Sequence, residues 1–357
     1  MTNARGDDGE GRGDIGAYRG DDGAFRGDIG AYRGDRVVVR YRLGAAAPAD
    51  WRSAPNPCAG VPGAPTQSDI TGRLIDDGDT LRIERAGVVE SVPRAAITSI
   101  RLLSAVAVRN SEIRALEYAA AAAWPGSRHE WIDGWLVRAG SGISRRANSA
   151  VPLDRSASTD AATLSAIDRW YAERHLPPLL AMPERLLPQT ITGRAASGDI
   201  HVLTRRLDSV TTEAESAVSV TSTPTAEWVR AYLGPDADVE AATAVLTTAL
   251  GDNSVVGFAV IEADGRPIAI GRGALTSTPG DGARWLGLTA LWTDPSRRRE
   301  RLGDAVLCAL LRWGVSAGAD HAYLQAEASN RVAGNWYRAR GFTLHHRYRY
   351  ISRPGPR

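Results

Sequence analysis

The sequence predicts an α/β chain, a mixed sheet flanked by helices, preceded by a small β-barrel. Three observations carry this. Residues 35–107 hold short strand-like runs separated by turn dipeptides, with no helical period. From Ser111 onward, apolar residues recur at helical spacing in some stretches and alternate in others. Residues 285–341 then read as strand, arginine-rich turn, long amphipathic helix, strand and short helix.

Composition narrows the class. At 357 residues the chain has room for two or three domains and a sizeable core without disulfides. A net charge of +2 gives no global pull toward nucleic acid or an anionic membrane. Every basic side chain is arginine or histidine, because the sequence contains no lysine. Cys58 and Cys308 match no metal or redox spacing, and a reducing cytoplasm is expected. No apolar h-region opens the chain, and no apolar run approaches the roughly 20 residues that span a bilayer. The six histidines are scattered, so no metal site is expected.

In chain order, residues 1–34 are rich in glycine, aspartate and arginine, and RGDIGAYRGD occurs twice. Their apolar content is too low to offset ordering entropy, so a disordered repeat tail is expected. The RGD triplets read as low-complexity sequence and not as an adhesion signal. GDRVVVRYRL then predicts a strand with Val37, Val39 and Tyr41 on one face. After a Pro/Ala/Gly loop, runs broken at DDGD and AG complete an SH3-like β-barrel over 35–107, a type of module that docks protein partners.

SEIRALEYAAAAAWPG predicts a helix ended near Pro125, and EWIDGWLVRAGSGISRRANSAVPL two strands around a glycine turn. Residues 159–175 predict a helix with Leu164, Ile167, Trp170 and Tyr171 on its apolar face. PLLAMPE and DIHVLTRRL predict strands, completing a segment over 111–210. A Ser/Thr-rich linker covers 211–225, and a last unit covers 226–357. That unit predicts two helices, a hairpin turning at Asp264–Gly265, a strand over 285–294 and a helix over 298–314. A strand over 321–328, a helix over 331–340 and a closing strand follow. Alternation places one of His345 and His346 inward and the other outward.

The strand-to-helix step at 294–304 matters most. A helix start presents unpaired N–H groups and the positive end of the dipole, an anion site, and Arg297, Arg298, Arg299 and Arg301 crowd it. The pyrophosphate of a nucleotide-bearing cofactor is the expected ligand.

Two motifs make the reading specific. LWTDPSRRRERLGD from Leu291 is similar to a cofactor loop of the form hydrophobic-x-hydrophobic-x-P-x-x-R-G-x-G-x-G/A. Asn330, Ala333, Trp336, Tyr337, Gly341 and Phe342 match N-x-x-A-x-x-apolar-Y-x-x-x-G-F at every fixed position. In this order and spacing they resemble the GNAT (GCN5-related N-acetyltransferase) superfamily over 226–357. The whole chain resembles an actinobacterial family that carries an SH3-like domain before a tandem GNAT-like body. By that resemblance 111–210 is a degenerate GNAT-like half without a cofactor loop.

The resemblance implies acetyl transfer from acetyl-CoA to a primary amine, of a small molecule or of a protein lysine or N-terminus, by direct attack in a ternary complex. Backbone of Leu291, Trp292 and Thr293 would hold the pantetheine arm and supply an oxyanion donor. Arg298, Arg299, Arg301, Leu302, Gly303 and Asp304 would hold the pyrophosphate, with Asn330 on the cofactor arm. Tyr337 would protonate the leaving thiolate. Glu327, two residues from Gln325 and on its face, is the candidate base, or else a substrate-positioning carboxylate. No metal is implied.

Arg299 and Arg301 depart from the pattern, standing where it has glycines. Either they keep helical φ with their side chains turned aside or on phosphate, or they weaken the site. The second outcome motivates the alternative, an acetyl-CoA-binding regulatory protein with a non-catalytic GNAT domain.

Overall fold

The computed structural model describes residues 34–44, 66–104, 107–187, 191, 193–210, 218–280 and 282–353. The expected repeat tail lies outside these residues except for Gly34, as do Cys58 and residues 211–217 of the expected linker. The chain divides into two compact units, Met1–Ala105 and Val106–Arg357.

The first unit is an antiparallel sheet of β1 (Arg36–Arg42), β2 (Gln67–Asp77), β3 (Thr80–Arg85), β4 (Val88–Pro93) and β5 (Ile97–Leu103), in the order β4-β3-β2-β1-β5. Val37, Val39 and Tyr41 are buried, and the residues between them in β1 are not. Ala86 and Gly87 take positive φ in the β3–β4 turn, which suits the twist of a tight hairpin. The barrel expected here is not closed by a ladder: among the described residues β4 and β5 do not pair. A one-turn 3₁₀ helix, Arg94–Ala96, sends β5 back to β1 instead.

The second unit opens with α1 (Asn110–Ala122), then β6 (Arg128–Ile132), β7 (Trp135–Ala139), β8 (Val151–Pro152), α2 (Ala161–Ala172), β9 (Leu179–Pro183), β10 (Arg194–Ala195) and β11 (Ile200–Arg206). It continues with β12 (Ser219–Thr221), α3 (Ala226–Leu233), α4 (Val239–Leu246), β13 (Val255–Ala263), β14 (Arg266–Ser277) and β15 (Arg284–Thr293). Then come α5 (Leu302–Ser316), β16 (His321–Glu327), α6 (Arg331–Arg338) and β17 (Thr343–Ser352).

β6, β7 and β8 form a small sheet of their own. The main sheet runs β10-β17-β11-β16-β15-β14-β13-β12, with β9 also on β17. Among the described residues β15 and β16 are its one parallel ladder. β11 lies between β16 and β17, so segment 111–210 donates strands to the sheet of 226–357.

α5 covers one sheet face. A Cβ at Gly271 would meet Val306 and Leu310, and one at Gly257 would meet Trp313, so these glycines let the helix lie close. On the other face Ala123, Trp124, Trp228, Leu246, Phe258 and Ile270 share a core. Arg272 is fully buried there. Its Nε donates to Leu246 O at 2.8 Å and its Nη2 to Ala123 O at 3.0 Å, tying the ends of α4 and α1 to β14. Burial lowers its pKa to about 10.

His346 is fully buried and His345 only partly, as alternation predicts, but a bulge brings the two rings together. The β11–β17 register slips between Val202 and Leu203, which pair with His346 and Leu344, and leaves His345 as the extra residue of a bulge. Both imidazoles therefore meet, Nδ1 to Nδ1, at 2.8 Å.

Candidate active site

Helix starts in the second unit are mostly capped by side chains. Asp160, Thr225, Asp238 and Asn330 accept from the third residue of α2, α3, α4 and α6, at 2.8–3.1 Å. α5 has no such cap. Its N-cap is Arg301, in the left-handed region at φ 62°, and Arg299 is also left-handed at φ 70°. The helix expected from 298 therefore begins at Leu302, after a one-turn 3₁₀ helix at Pro295–Arg297. Of the two expected outcomes for these arginines, helical φ is ruled out. The backbone instead takes the shape that glycine would adopt freely, with two L-residues strained by roughly 1–2 kcal/mol each.

The charges around this loop divide in two. Arg297 is held by Glu300 at 2.7 Å. Arg298, Arg299 and Arg301 are exposed and make no ion pair among the described residues. Asp304, in the first turn of α5, turns its carboxylate to α6: Arg340 pairs with it and Trp336 Nε1 donates to it at 3.1 Å. A Cβ on Gly303 would meet nothing nearer than 3.5 Å, so the approach to the helix start is open.

Beside this loop the sheet parts. Parallel pairing of β15 with β16 runs from Trp285↔His321 to Leu288↔Leu324 and stops, although β15 continues to Thr293 and β16 to Glu327. The cause is a bulge in β15: register against β14 slips between Ile270 and Arg272, and Ala290 takes φ 53°. Backbone groups of Leu291, Trp292 and Thr293 thus have no β16 partner and can pair with an extended ligand. Thr289, just before the bulge, is buried with its hydroxyl unpartnered among the described residues.

Tyr337 sits on α6 with its ring edge-on to Trp336 at 4.9 Å and to Phe342 at 6.0 Å. Burial raises its pKa to about 12, and Arg146 is the charge that opposes the rise. Asn330 spends its carbonyl oxygen on the α6 cap. Glu327 is half exposed at the end of β16 and pairs with Arg145 at 2.7 Å.

Arg145 and Arg146 were not legible as site residues. They lie in a one-turn 3₁₀ helix, Arg145–Ala147, about 180 positions before their partners. Arg146 Nε donates to Gln325 Oε1 at 2.6 Å and Nη2 to Gln325 O at 3.2 Å, at the point of splay. The SRRANS stretch was the only signal. The wider groove beside Tyr118, Trp131 and Leu153 lies by Pro279, at the far end of β14.

Residues 110–351 match the family described as "Probable histone acetyltransferase Rv0428c C-terminal". A chain of Mycobacterium tuberculosis (strain ATCC 25618 / H37Rv), named "Probable histone acetyltransferase Rv0428c", is 36% identical over 320 residues, covering 88% of this chain and 94% of that one. This chain belongs to that family. Solved structures resemble the Rv0428c-family chain more distantly. A GCN5-related N-acetyltransferase from Kribbella flavida is 18% identical, covers 70% of this chain and 98% of its own, and has a TM-score of 0.48. A tandem GNAT protein from the clavulanic acid biosynthesis pathway is 14% identical, covering 55% and 70%, with a TM-score of 0.42. In this Rv0428c-family member the expected GNAT fold is present: a mixed sheet whose parallel ladder splays beside the N-terminus of a long helix.

The left-handed arginines give one expected result here. Arg301→Gly relieves strain and raises stability by up to about 1 kcal/mol. Thermal unfolding checks this. Acetyl-CoA affinity stays equal or improves, whereas a tenfold loss, about 1.4 kcal/mol, shows that the Arg301 side chain itself binds the anion.

Proposed function

We propose that the chain is an N-acetyltransferase that moves an acetyl group from acetyl-CoA to a primary amine by direct attack in a ternary complex. One observation carries this: the strand pair opens after Leu288 and Leu324 immediately beside an uncapped helix start bearing three exposed guanidiniums without an ion pair among the described residues. That donor set fits a pyrophosphate, and the unpaired strand fits an amide-bearing pantetheine arm.

Arg298 and Arg299, with the backbone of Arg301 and the N–H groups of Leu302, Gly303 and Asp304, hold the pyrophosphate. Backbone of Leu291, Trp292 and Thr293 holds the arm and supplies a donor where carbonyl charge develops. The co-substrate supplies an activated acetyl thioester. Tyr337, kept protonated by burial, gives the leaving sulfur its proton. Asn330 has its amide nitrogen left for the arm. Glu327, engaged by Arg145, positions the acceptor at the mouth.

The relative's name supports a protein lysine as acceptor. The first unit, whose strand order is compatible with an SH3-like module, is the place for a protein partner to dock. Among the described residues no helix is long and apolar enough to cross a membrane, and no group of three or more His, Cys, Asp or Glu could hold a metal. A cytoplasmic setting fits the cysteine usage.

Acetyl-CoA at 100 times Kd should stabilise the protein by about 2.7 kcal/mol in a thermal-shift titration. No shift at millimolar acetyl-CoA sinks the enzyme reading. A shift with no thiol release on any amine favours the acetyl-CoA-binding regulator instead. Because the chain has no lysine, acetyl-lysine formed in the mixture belongs to the acceptor.

A further inference from the structure

The vertex of the splay is completed by a residue from far upstream. β11 and β16 keep one register throughout. Hydrogen bonds lie just beyond both ends of it, Leu207 N to Asp320 O at 3.0 Å and Ala328 N to Asp199 O at 2.9 Å. Antiparallel pairs alternate between bonded and non-bonded. Counted inward from either end, Val202↔Gln325 and Ile200↔Glu327 are non-bonded pairs. Gln325 and Glu327 therefore turn their N–H and C=O groups away from β11 and toward the β15 side. Leu288↔Leu324 is the last β15–β16 pair, and one more rung would bring the N–H of Ala290 to Gln325 O. Ala290 is the bulge residue, at φ 53°, and that rung is absent.

Arg146 takes its place. Nη2 donates to Gln325 O at 3.2 Å, and Nε donates to Gln325 Oε1 at 2.6 Å. The next carbonyl on that edge, Glu327 O, accepts from Asn330 N at 2.9 Å. Both β16 carbonyls that face the opening are thus occupied from within the chain, while the backbone of β15 has no β16 partner there. The turn that bears Arg146 is itself fastened. Ser144 Oγ accepts from Arg146 N at 3.2 Å, and Asn148 Oδ1 accepts from Gly140 N at 2.8 Å. Asn148 Nδ2 donates to Ser144 O at 2.8 Å, and Ala147 is fully buried. Stability alone does not account for the arginine. Gln325 is partly exposed, so water would satisfy its carbonyl. Arg146 also has no carboxylate partner among the described residues.

We infer that Arg146 is a positioning residue for the acetyl transfer: by capping Gln325 O it leaves β15 as the strand the pantetheine arm pairs with, and so fixes the depth at which the thioester stops. This rests on the acetyl transfer proposed above. With the pyrophosphate at the start of α5 and the arm along Thr293, Trp292 and Leu291, the acetyl end comes to the vertex, where Gln325 O lies. A bare carbonyl there would compete with β15 for the amide N–H groups of the arm. It would also face the thioester oxygen with like partial charge. Arg146 is the charge felt by Tyr337 as well, so the vertex and the acid for the thiolate lie at one end of the opening.

The test uses the full chain, acetyl-CoA carrying ¹³C at the acetyl carbonyl, and the amine it turns over best. Arg146→Ala should lower kcat about 100-fold, the cost of a misplacement near 1 Å. Acetyl-CoA Kd should stay within about threefold, because one acceptor for the arm replaces another. Millimolar guanidinium should recover part of the lost rate. Arg146→Lys keeps a donor for one of the two contacts and should fall between wild type and alanine, so the order is readable even if alanine is not tolerated. Gln325→Met removes only the side-chain anchor, leaves the main-chain carbonyl capped, and should cost about threefold in kcat. Independently of turnover, the bound thioester carbonyl should give one ¹³C signal in wild type and a displaced or split signal in Arg146→Ala.

An Arg146→Ala kcat within about threefold of wild type overturns the inference and leaves the enzyme reading standing. A loss of acetyl-CoA affinity as large as the loss in kcat makes Arg146 structural and overturns it as well. A loss in Gln325→Met equal to that in Arg146→Ala moves the role to the side-chain contact and does the same, as does an unchanged ¹³C signal in Arg146→Ala. Wild type that binds acetyl-CoA and acetylates no amine overturns the transfer reading, and the ¹³C comparison then still decides whether Arg146 places the arm.

Discussion

Tyr337→Phe lowers kcat roughly 100-fold and leaves acetyl-CoA affinity unchanged. A positioned general acid is worth about 10²–10⁴ in rate, and the lower end applies because water could supply part of the proton. The ring packs edge-on against Trp336 and Phe342, and phenylalanine keeps both contacts. Binding is therefore expected to be spared, because the proposed anion and arm sites, at the start of α5 and on β15, do not include this hydroxyl. The pH profile gives a second reading. Burial raises the Tyr337 pKa to about 12, so the hydroxyl stays protonated across the usable range and adds no alkaline limb. Steady-state kinetics and calorimetric titration of acetyl-CoA check both parts. Equal losses in kcat and affinity would make Tyr337 a structural tyrosine.

Acid is expected to destabilise the protein well above the carboxylate range. Burial depresses His201 to about 4 and His345 to about 3, against about 6.5 when unfolded. A base with a depressed folded pKa stays neutral in the fold while the unfolded chain takes up a proton. Stability is therefore complete above pH 6.5 and is lost as pH falls from there toward 4 and 3. At pH 5 each histidine costs about 2 kcal/mol, or about 4 kcal/mol together. Urea denaturation at pH 7 and pH 5 measures this. His201→Gln should remove about half of the difference. An unchanged midpoint would mean that these rings are hydrated in solution.

The motif-bearing parts of the fold were legible because their signals are local. The Val37–Tyr41 alternation, the Asp264–Gly265 turn and the helix carrying Leu310 and Trp313 each depend on neighbours in sequence. The α5 start was misjudged by four residues, because two arginines took left-handed φ that helical propensity argues against. The place of β11 was not legible, since the strand pattern of DIHVLTRRL says nothing about which strands flank it. The same holds for Arg146 on Gln325 and Glu117 on His346, which are joined only by tertiary packing. The contact of His345 with His346 was not legible either, because the bulge that brings the rings together is invisible to a period-two count.

The position of β11 between β16 and β17 has a consequence during synthesis. The ribosome makes β11 first, and its two flanking strands emerge last, roughly 120–150 residues later. At about 5–20 residues per second, β11 waits on the order of ten seconds with both edges bare and Ile200, Val202 and Leu203 uncovered. Segment 218–352 made alone would lack the strand that separates β16 from β17 and would leave both edges open. The acetyl-transfer half is thus no portable domain: it completes its sheet only from a strand already waiting upstream.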